Sequence, residues 1–151
     1  MTTTLRLYRQ CSRLPLGKFL FMRGLEFKAP YFRSLRAVPM EYREGYTRFI
    51  VRGRRRVHNH IGSVHAIARC NLAEMCGALA VDSVVPPHLR WIAQGMTVKY
   101  TAKAHGDITG VCELPSTETQ PGVIAAPVTM RDPAGNVVMT ATIDFYVSAK
   151  K

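Results

Sequence analysis

One stretch of the chain decides the fold: VHAIARCNLAEMCGALAVD, residues 64–82. When this stretch is drawn as a helix, apolar residues lie on nearly every side of it, which predicts an α-helix over 64–82 that is almost wholly buried. Formal charge within it is limited to Arg69, Glu74 and Asp82. Because such a helix needs other structure packed around it, we expect it at the centre of the domain.

Glu74 is the charged residue that lies midway along this apolar helix. A carboxylate in such surroundings is paired with a cation, holds a proton or faces a solvent-lined cleft, because burying an unpaired charge is costly. The functional interpretation of Glu74 is a general base. The alternative is an ordinary helix residue that faces water through a gap in the packing, since Glu is a good helix former.

The segment directly before the helix is the compact polar loop Asn59-His60-Ile61-Gly62-Ser63. The Ser63 hydroxyl is well placed to accept a hydrogen bond from the first free N–H groups, so we predict Ser63 as the helix cap. His65 lies nine residues before Glu74, which is roughly 13 Å along the helix axis and about 180° around it. The helix start and Glu74 can therefore share a site only across two chains, as in a twofold dimer.

The rest of the chain shows the two-residue alternation of half-buried strands. Apolar and polar residues alternate over 96–103 and 139–148, and a turn at 131–136 predicts a hairpin between the last strand and one over 123–130. Since strands and helices do not alternate, the prediction is an α+β fold in which an antiparallel β-sheet wraps around one long central α-helix. Shorter strands are expected over 36–43, 46–52 and 107–114.

The composition fits a single domain over residues 1–151. We expect an N-terminal helical extension over 1–30 that packs on a core over 35–148, although its basic, acid-free start is also typical of a mitochondrial transit peptide. Four scattered cysteines, two of them in the apolar helix, indicate buried thiols and a reducing, cytoplasmic location. No apolar run approaches the ~20 residues needed to cross a bilayer, so no membrane span is expected.

The net charge of +11 lies entirely in the first part of the chain, where residues 1–57 hold fourteen Lys and Arg against three Glu. The densest run includes Arg54, Arg55 and Arg56, just before the Asn59 loop, and its guanidinium groups suit the phosphates of a CoA nucleotide. A solvated surface is the plain alternative. Nucleic-acid binding is the third hypothesis and ranks below the others, because no aromatic residues are interleaved with the run and no nucleic-acid-binding motif is present.

Together the loop and the helix resemble a known family. The pattern Asn-x-x-Gly-x-x-His at 59–65, with an acid nine positions later at 74, resembles the hotdog-fold acyl-CoA thioesterases of the phenylacetyl-CoA (PaaI-like) type. Residues 65–74 are similar to an uncharacterised branch of that superfamily, which also occurs fused to acetyltransferases. The resemblance covers residues 35–148. It implies a hotdog fold, a homodimer or dimer of dimers, and hydrolysis of an acyl-CoA or related thioester with no cofactor beyond the CoA of the substrate.

The resemblance also implies a role for each matching residue. Glu74 activates water or attacks the thioester directly, and Asn59 orients water or substrate. The backbone N–H of Ala66 polarises the thioester oxygen at the positive end of the helix. His65 lies close to the site. The expected substrate contacts are Gly62, Ser63 and Ile67, with Arg54, Arg55 and Arg56 at the CoA phosphates.

Two further hypotheses concern the same loop. The family's Gly-Gly pair is here Ala66-Ile67, and the larger Ile67 narrows the space for the thioester, which motivates a non-catalytic module that binds acyl-CoA or acyl carrier protein. The cluster His58, His60 and His65 suggests a metal site, but its spacing matches no standard zinc pattern and no Cys or carboxylate is close enough in sequence to complete one. We therefore expect no metal.

Overall fold

The computed structural model describes residues 2–116 and 118–150. Two helices and a 3-10 turn come first, two strands and a second 3-10 turn precede the long helix, and four strands follow it. In chain order the elements are α1 (Thr3–Cys11), α2 (Gly17–Lys28), the first 3-10 turn (Pro30–Ser34), β1 (Val38–Arg43), β2 (Tyr46–Val51), the second 3-10 turn (Arg55–Val57), α3 (Ala66–Val84), β3 (Leu89–Tyr100), β4 (Ile108–Glu113), β5 (Gly122–Arg131) and β6 (Val137–Ala149).

The six strands of the described chain form one antiparallel sheet in the order β1-β2-β4-β5-β6-β3. α3 packs against the sheet through β2, β4, β5 and β6, and it also contacts α1 and the first 3-10 turn. Most of its residues are buried, because elements on several sides cover a helix that is apolar all round. The predicted α+β hotdog fold, with a sheet around one long central helix, is confirmed.

Two glycines allow α3 to approach the sheet closely. A Cβ on Gly77 of α3 would lie 3.2 Å from Phe145 Cε2, and a Cβ on Gly110 of β4 would lie 3.1 Å from both Cys76 Sγ and Leu72 Cγ. These distances are shorter than ordinary van der Waals contacts, and a packed interior yields little to added volume. The helix and the sheet therefore pack more closely than larger side chains at these two positions would allow.

The long helix begins two residues later than predicted and spans Ala66–Val84. The prediction that Ser63 caps it is wrong. The cap is His65, whose Nδ1 accepts a hydrogen bond from the backbone N–H of Ile67 at 3.0 Å. Ser63 is already engaged, since its buried hydroxyl accepts a hydrogen bond from Asn59 Nδ2 at 2.8 Å.

The strand predictions hold best where one face of the strand is buried. The hairpin at 131–136 is confirmed, because β5 and β6 pair antiparallel along the whole of β5. β1, β2 and β4 end within two residues of the expected positions. β3 begins at Leu89 instead of near Met96. It is one of the two edge strands and residues 92–95 are exposed, so no buried face imposes an alternating pattern on these residues.

The predicted N-terminal helical extension consists of two helices. α1 buries Leu5 and Tyr8, and α2 buries Phe21 and Met22. The rings of Tyr8 and Phe21 lie 5.2 Å apart in an edge-to-face arrangement, and both rings lie near Tyr42 of β1. This aromatic cluster fixes the extension to the edge of the sheet.

The composition predicted buried thiols and no membrane span. Cys76 and Cys112 are free and buried, and burial raises the pKa of Cys112 to about 12, so its thiol stays protonated. Cys11 and Cys70 are free and half-buried. None of the helices within residues 2–116 and 118–150 is long and apolar enough to cross a bilayer.

We expect Gly110→Val to lower the free energy of unfolding by about 1–3 kcal/mol, because the added carbons overpack against Leu72 and Cys76. Urea unfolding followed by circular dichroism measures the change. Gly24→Val in α2 is the matched control, since nothing lies within 4 Å of a Cβ at that position and valine is the better helix former. An unchanged unfolding midpoint for Gly110→Val contradicts the close packing of α3 on β4.

Candidate active site

Asn59 holds together the loop that precedes α3. Its Oδ1 accepts hydrogen bonds from the backbone N–H groups of Ile61 and Ser63, each at 3.1 Å, and its Nδ2 donates to Ser63 Oγ at 2.8 Å. Its own backbone N–H donates to Ser63 O at 2.8 Å. The side-chain amide has two N–H groups, and the described residues use one of them. Asn59 therefore builds the loop and still has one donor for a ligand.

Gly62 gives this loop its turn. Its φ of +74° lies in the left-handed region that favours glycine, and nothing lies within 4 Å of where its Cβ would be. Backbone conformation, and not crowding, accounts for a glycine here. Gly62 and Ser63 thus have a defined part in shaping the loop, while their contact with a substrate stays a prediction.

The first turn of α3 presents a free backbone donor. Within the described residues, nothing accepts a hydrogen bond from the N–H of Ala66. His65 Nδ1 accepts from Ile67, so a neutral His65 ring carries its proton on Nε2, at the exposed end of the side chain. The free N–H stands at the positive end of a nineteen-residue helix, where developing negative charge is stabilised. The Ile67 side chain, 55% exposed, lies beside it.

Tyr100, at the end of β3, braces this helix start and was not predicted. Its hydroxyl donates to Ala66 O at 3.4 Å and lies 3.0 Å from Cys70 Sγ. The buried Arg69 guanidinium stacks on the ring at 4.6 Å and donates to two backbone carbonyls. Burial raises the pKa of Tyr100 to about 12, so the hydroxyl is neutral at physiological pH. An arginine in an apolar helix was the one sign of this cluster in the sequence.

Glu74 lies on the outward side of α3. It is half-buried, and no residue of the described chain gives it a hydrogen bond or an ion pair. It follows Ala66 by eight residues, which corresponds to about 12 Å along the helix axis. A single chain therefore does not bring Glu74 together with the Ala66 N–H at the start of the helix.

A polar pocket of about 180 Å³ begins one helical turn before Glu74, and Asn71, His58 and Arg56 help to line it. The side chain of Asn71 is 5% exposed, and its Nδ2 donates to Ser34 Oγ at 3.1 Å. Asn71 Oδ1 and His58 Nε2 are buried without a partner in the described chain. Buried polar atoms normally have a partner, so these two are candidates for binding water or a ligand. No sequence pattern pointed to Asn71, and His58 was singled out only as a member of the histidine cluster.

An apolar groove of about 520 Å³ begins one turn beyond Glu74, between α3 and the N-terminal helices. Ala78 of α3 and the side chains of Leu20 and Leu25 of α2 line it. Asn71, Glu74 and Ala78 are spaced at i, i+3 and i+7, so they share one face of α3. Glu74 is thus placed between a polar pocket and an apolar groove.

The predicted arginine run does not form a single site. Arg54 lines a cavity of about 540 Å³, Arg56 lines the polar pocket, and Arg55 lines neither. The larger cavity is basic, because sequence-distant cations meet there, although Arg23 is paired with Glu26 and Arg52 with Asp107. Its charged residues are Lys18, Arg23, Arg36, Arg52 and Arg54.

Residues 17–147 match a family that is described as a domain of unknown function, DUF4442. The match covers most of the chain, so the chain belongs to the DUF4442 family. Among curated proteins, none matches it in sequence.

Solved structures share the fold. A structural-genomics crystal structure is 34% identical, with a TM-score of 0.86 over 97% of this chain and 99% of that one. A thioesterase family protein from Silicibacter pomeroyi is 14% identical, with a TM-score of 0.74 over 85% and 96%. A thioesterase from Staphylococcus aureus is 11% identical, with a TM-score of 0.72 over 79% and 98%. The hotdog fold of this chain is therefore one that named thioesterases also adopt.

We expect His65→Ala to lower the free energy of unfolding by about 1 kcal/mol, because the Ile67 N–H loses its acceptor at the start of α3. His65→Asn is the matched control, since an asparagine side chain can accept the same hydrogen bond. Urea unfolding of both variants measures the difference. An equal loss in the two variants would mean that His65 contributes something other than the cap.

Proposed function

We propose that the chain is a thioester hydrolase that cleaves an acyl-CoA into the free acid and the thiol. The observation that carries the proposal is Glu74, a half-buried carboxylate without a partner in the described chain, on the helix whose first turn presents the free Ala66 N–H. The carboxylate supplies a base or nucleophile, and the N–H supplies the contact to an oxyanion. These are the two groups that acyl transfer to water requires.

In the proposed reaction the Ala66 N–H donates to the thioester oxygen and stabilises its charge as the carbonyl carbon becomes tetrahedral. As a base, Glu74 takes a proton from water while the water oxygen bonds to that carbon. The C–S bond then breaks, and the leaving sulfur takes the proton from Glu74. As a nucleophile, Glu74 bonds to the carbon itself, the thiolate leaves, and water hydrolyses the resulting anhydride.

Two amides are candidates to orient the attacking water. Asn71 lies three residues before Glu74 on the same face of α3, and its buried Oδ1 has no partner in the described chain. This oxygen can accept a hydrogen bond from water next to the carboxylate. The second candidate is Asn59 of a second chain. Its unused side-chain N–H can donate a hydrogen bond to the water or to the thioester.

The proposed site needs two chains, because Ala66 and Glu74 of one chain are separated by about 12 Å along α3. β3 provides a means of association. It is twelve residues long and outermost in the sheet, and its neighbour in the described chain is β6. An open strand edge is a template for another strand. Twofold pairing of β3 with its copy would extend the sheet and place the two α3 helices on the same side of it.

Variants of a protein with the same fold support the choice of Asn59 and Glu74. In the Staphylococcus aureus thioesterase, a glutamine and a glutamate that are fifteen positions apart have each been replaced by alanine. Asn59 and Glu74 are also fifteen positions apart. Because asparagine and glutamine carry the same amide, the two chains offer the same pair of functional groups at the same spacing.

The basic cavity is the proposed site for the CoA phosphates. Arg36 and Arg54 line it together with Lys18. Arg54 is two residues before Arg56, which lines the polar pocket near the helix start. A nucleotide in the basic cavity would therefore be held by the same chain that supplies the Ala66 N–H. Guanidinium groups suit this role because they form paired hydrogen bonds with phosphate oxygens.

The apolar groove is the proposed site for the acyl group. Its volume of about 520 Å³ falls in the usual range for small-molecule sites. It begins at Ala78, one helical turn from Glu74, so an acyl group in the groove would place its thioester near the carboxylate. The lining is largely apolar, which favours a hydrocarbon chain over a polar acyl group.

We expect Glu74→Gln to lower kcat by about 10²–10⁴-fold, because glutamine neither accepts the proton nor attacks the carbonyl carbon. Release of free thiol from a panel of acyl-CoAs is the measurement. Glu44→Gln, at an exposed carboxylate in the β1–β2 turn, is the matched control and should retain full activity. Binding of acyl-CoA by the wild-type protein without thiol release would support the non-catalytic module instead.

The shared site is tested in mixed dimers of Glu74→Gln and Asn59→Ala chains, obtained by coexpression. Each variant alone has a defect in both sites, whereas a mixed dimer has one site with both defects and one site with neither. With random pairing the mixture should recover about one quarter of wild-type activity. No recovery in purified mixed dimers would place the site within one chain.

We expect Arg36→Gln and Arg54→Gln each to raise KM for an acyl-CoA about tenfold, because a charge-assisted contact to phosphate is lost. KM for the matching acyl-pantetheine, which lacks the nucleotide, should not change, and neither should kcat. Arg48→Gln, at an exposed position of β2 outside the basic cavity, is the matched control. Equal effects on both substrates would show that the basic cavity does not hold the nucleotide.

A further inference from the structure

The outward face of α2 is apolar. Leu16, Phe19, Leu20 and Phe27 are all exposed, and Phe27 is 91% exposed. These four positions fall within an arc of about 100° around the helix, whereas the opposite side buries Phe21. Arg23 lies within the same arc, with its guanidinium over the Phe19 ring at 5.3 Å. We call these four residues the α2 stripe. A helix usually turns such a face toward the core, so an exposed one indicates an interaction surface.

Leu16 gives independent support for this interpretation. It precedes the first turn of α2 with a φ of +59°, in the left-handed region, and its side chain is 79% exposed. Glycine or asparagine adopts this conformation at lower cost. A large apolar side chain that is held in a strained conformation and projects into solvent contributes little packing within its own chain. We therefore interpret Leu16 as a contact to a binding partner.

The N-terminal region that carries the α2 stripe is positively charged. Residues 2–37 contain eight Lys and Arg and one acid, Glu26. Glu26 is 3% exposed and forms an ion pair with Arg23. Arg6 and Arg13 of the extension and Arg33 of the first 3-10 turn are exposed. The surface of the N-terminal extension therefore combines large apolar side chains with positive charge and no exposed carboxylate.

We propose that the N-terminal extension docks the protein on an anionic phospholipid surface. The α2 stripe enters the boundary between headgroups and acyl chains, and the surrounding Arg and Lys side chains contact the lipid phosphates. α2 has twelve residues, fewer than the ~20 needed to cross the hydrocarbon core, so it lies along the surface. This proposal does not depend on hydrolytic activity.

Charge complementarity identifies the partner as anionic lipid. A second copy of the chain would oppose the same cations across a twofold contact, and this like-charge arrangement is unfavourable. A bilayer supplies negative charge and accepts projecting side chains without matching pockets. An acidic protein would also supply charge, but it would need a separate pocket for each projecting anchor, such as Leu16 and Phe27.

The test is cosedimentation of the full chain with vesicles of phosphatidylcholine, with and without about one third phosphatidylglycerol. The wild-type chain should sediment with the anionic vesicles only, and high salt should release it. The double variant Leu16→Ser/Phe27→Ser should reduce the bound fraction at least about tenfold. The matched control is Val123→Ser/Tyr146→Ser, an exposed apolar pair on the sheet, which should bind as the wild type does.

Neutralising three exposed basic residues of the N-terminal region should reduce vesicle binding about 100-fold. The triple variant is Arg6→Gln/Arg13→Gln/Arg33→Gln, and its control is Arg48→Gln/Lys103→Gln/Arg131→Gln, three exposed residues outside β3. Equal losses in variant and control would overturn the proposal. Failure of the wild-type chain to sediment with anionic vesicles would also overturn the proposal. This holds even if the chain binds an acidic carrier protein, because that protein would then be the partner of the α2 stripe. A smaller mass for Leu16→Ser/Phe27→Ser in sedimentation would also overturn it, since the stripe would then join copies of the chain.

Discussion

The close packing of α3 on the sheet is the constraint on which the rest of the structure depends. Gly77 and Gly110 remove the side chains that would hold helix and sheet apart. Leu72 and Cys76 fit into the space at Gly110, and this contact fixes the rotation of α3 about its axis. Once that rotation is fixed, the opposite side of the helix, which carries Glu74, must face away from the sheet.

The start of α3 is fixed by hydrogen bonds, and the free donor there is a consequence of how they are distributed. The Asn59 side chain makes hydrogen bonds to Ile61 and Ser63 of the loop. His65 accepts a hydrogen bond from the Ile67 N–H. Tyr100 holds the Ala66 carbonyl from the side of β3. These contacts leave the Ala66 N–H free in the described chain and hold it in a fixed position. The helix dipole adds to the positive potential at this N–H. A preorganised donor of this kind is what stabilisation of an oxyanion requires.

The N-terminal extension connects the proposed site with the proposed lipid surface. Its inner side packs on β1 and α3 and closes the apolar groove, with Leu25 in the wall. Its outer side presents the α2 stripe. Leu20 belongs to both, because it is exposed and also lines the groove. An acyl chain leaving a bilayer would therefore meet the groove at the surface where the protein docks.

The sequence by itself determined the central helix, the hairpin and the pattern of an acid fifteen residues after Asn59, because these depend on periodicity and spacing along the chain. From the sequence, Ser63 was predicted as the helix cap and the first half of β3 was not predicted. The local pattern does not show that Asn59 binds the Ser63 hydroxyl, nor that β3 lies at an edge of the sheet. The domain boundaries, the roles of the site residues, the absence of a metal and the cellular location stay predictions.

Tertiary structure alone decided which distant residues meet. Ser34 holds Asn71 across 37 positions, Tyr100 reaches Ala66 across 34, and the arginine run is divided between two cavities. The physical reason is that a residue's helix or strand preference acts over a few neighbours, whereas its partners are set by how whole elements pack. Sequence therefore fixed which groups the chain carries, and packing fixed what each of them faces.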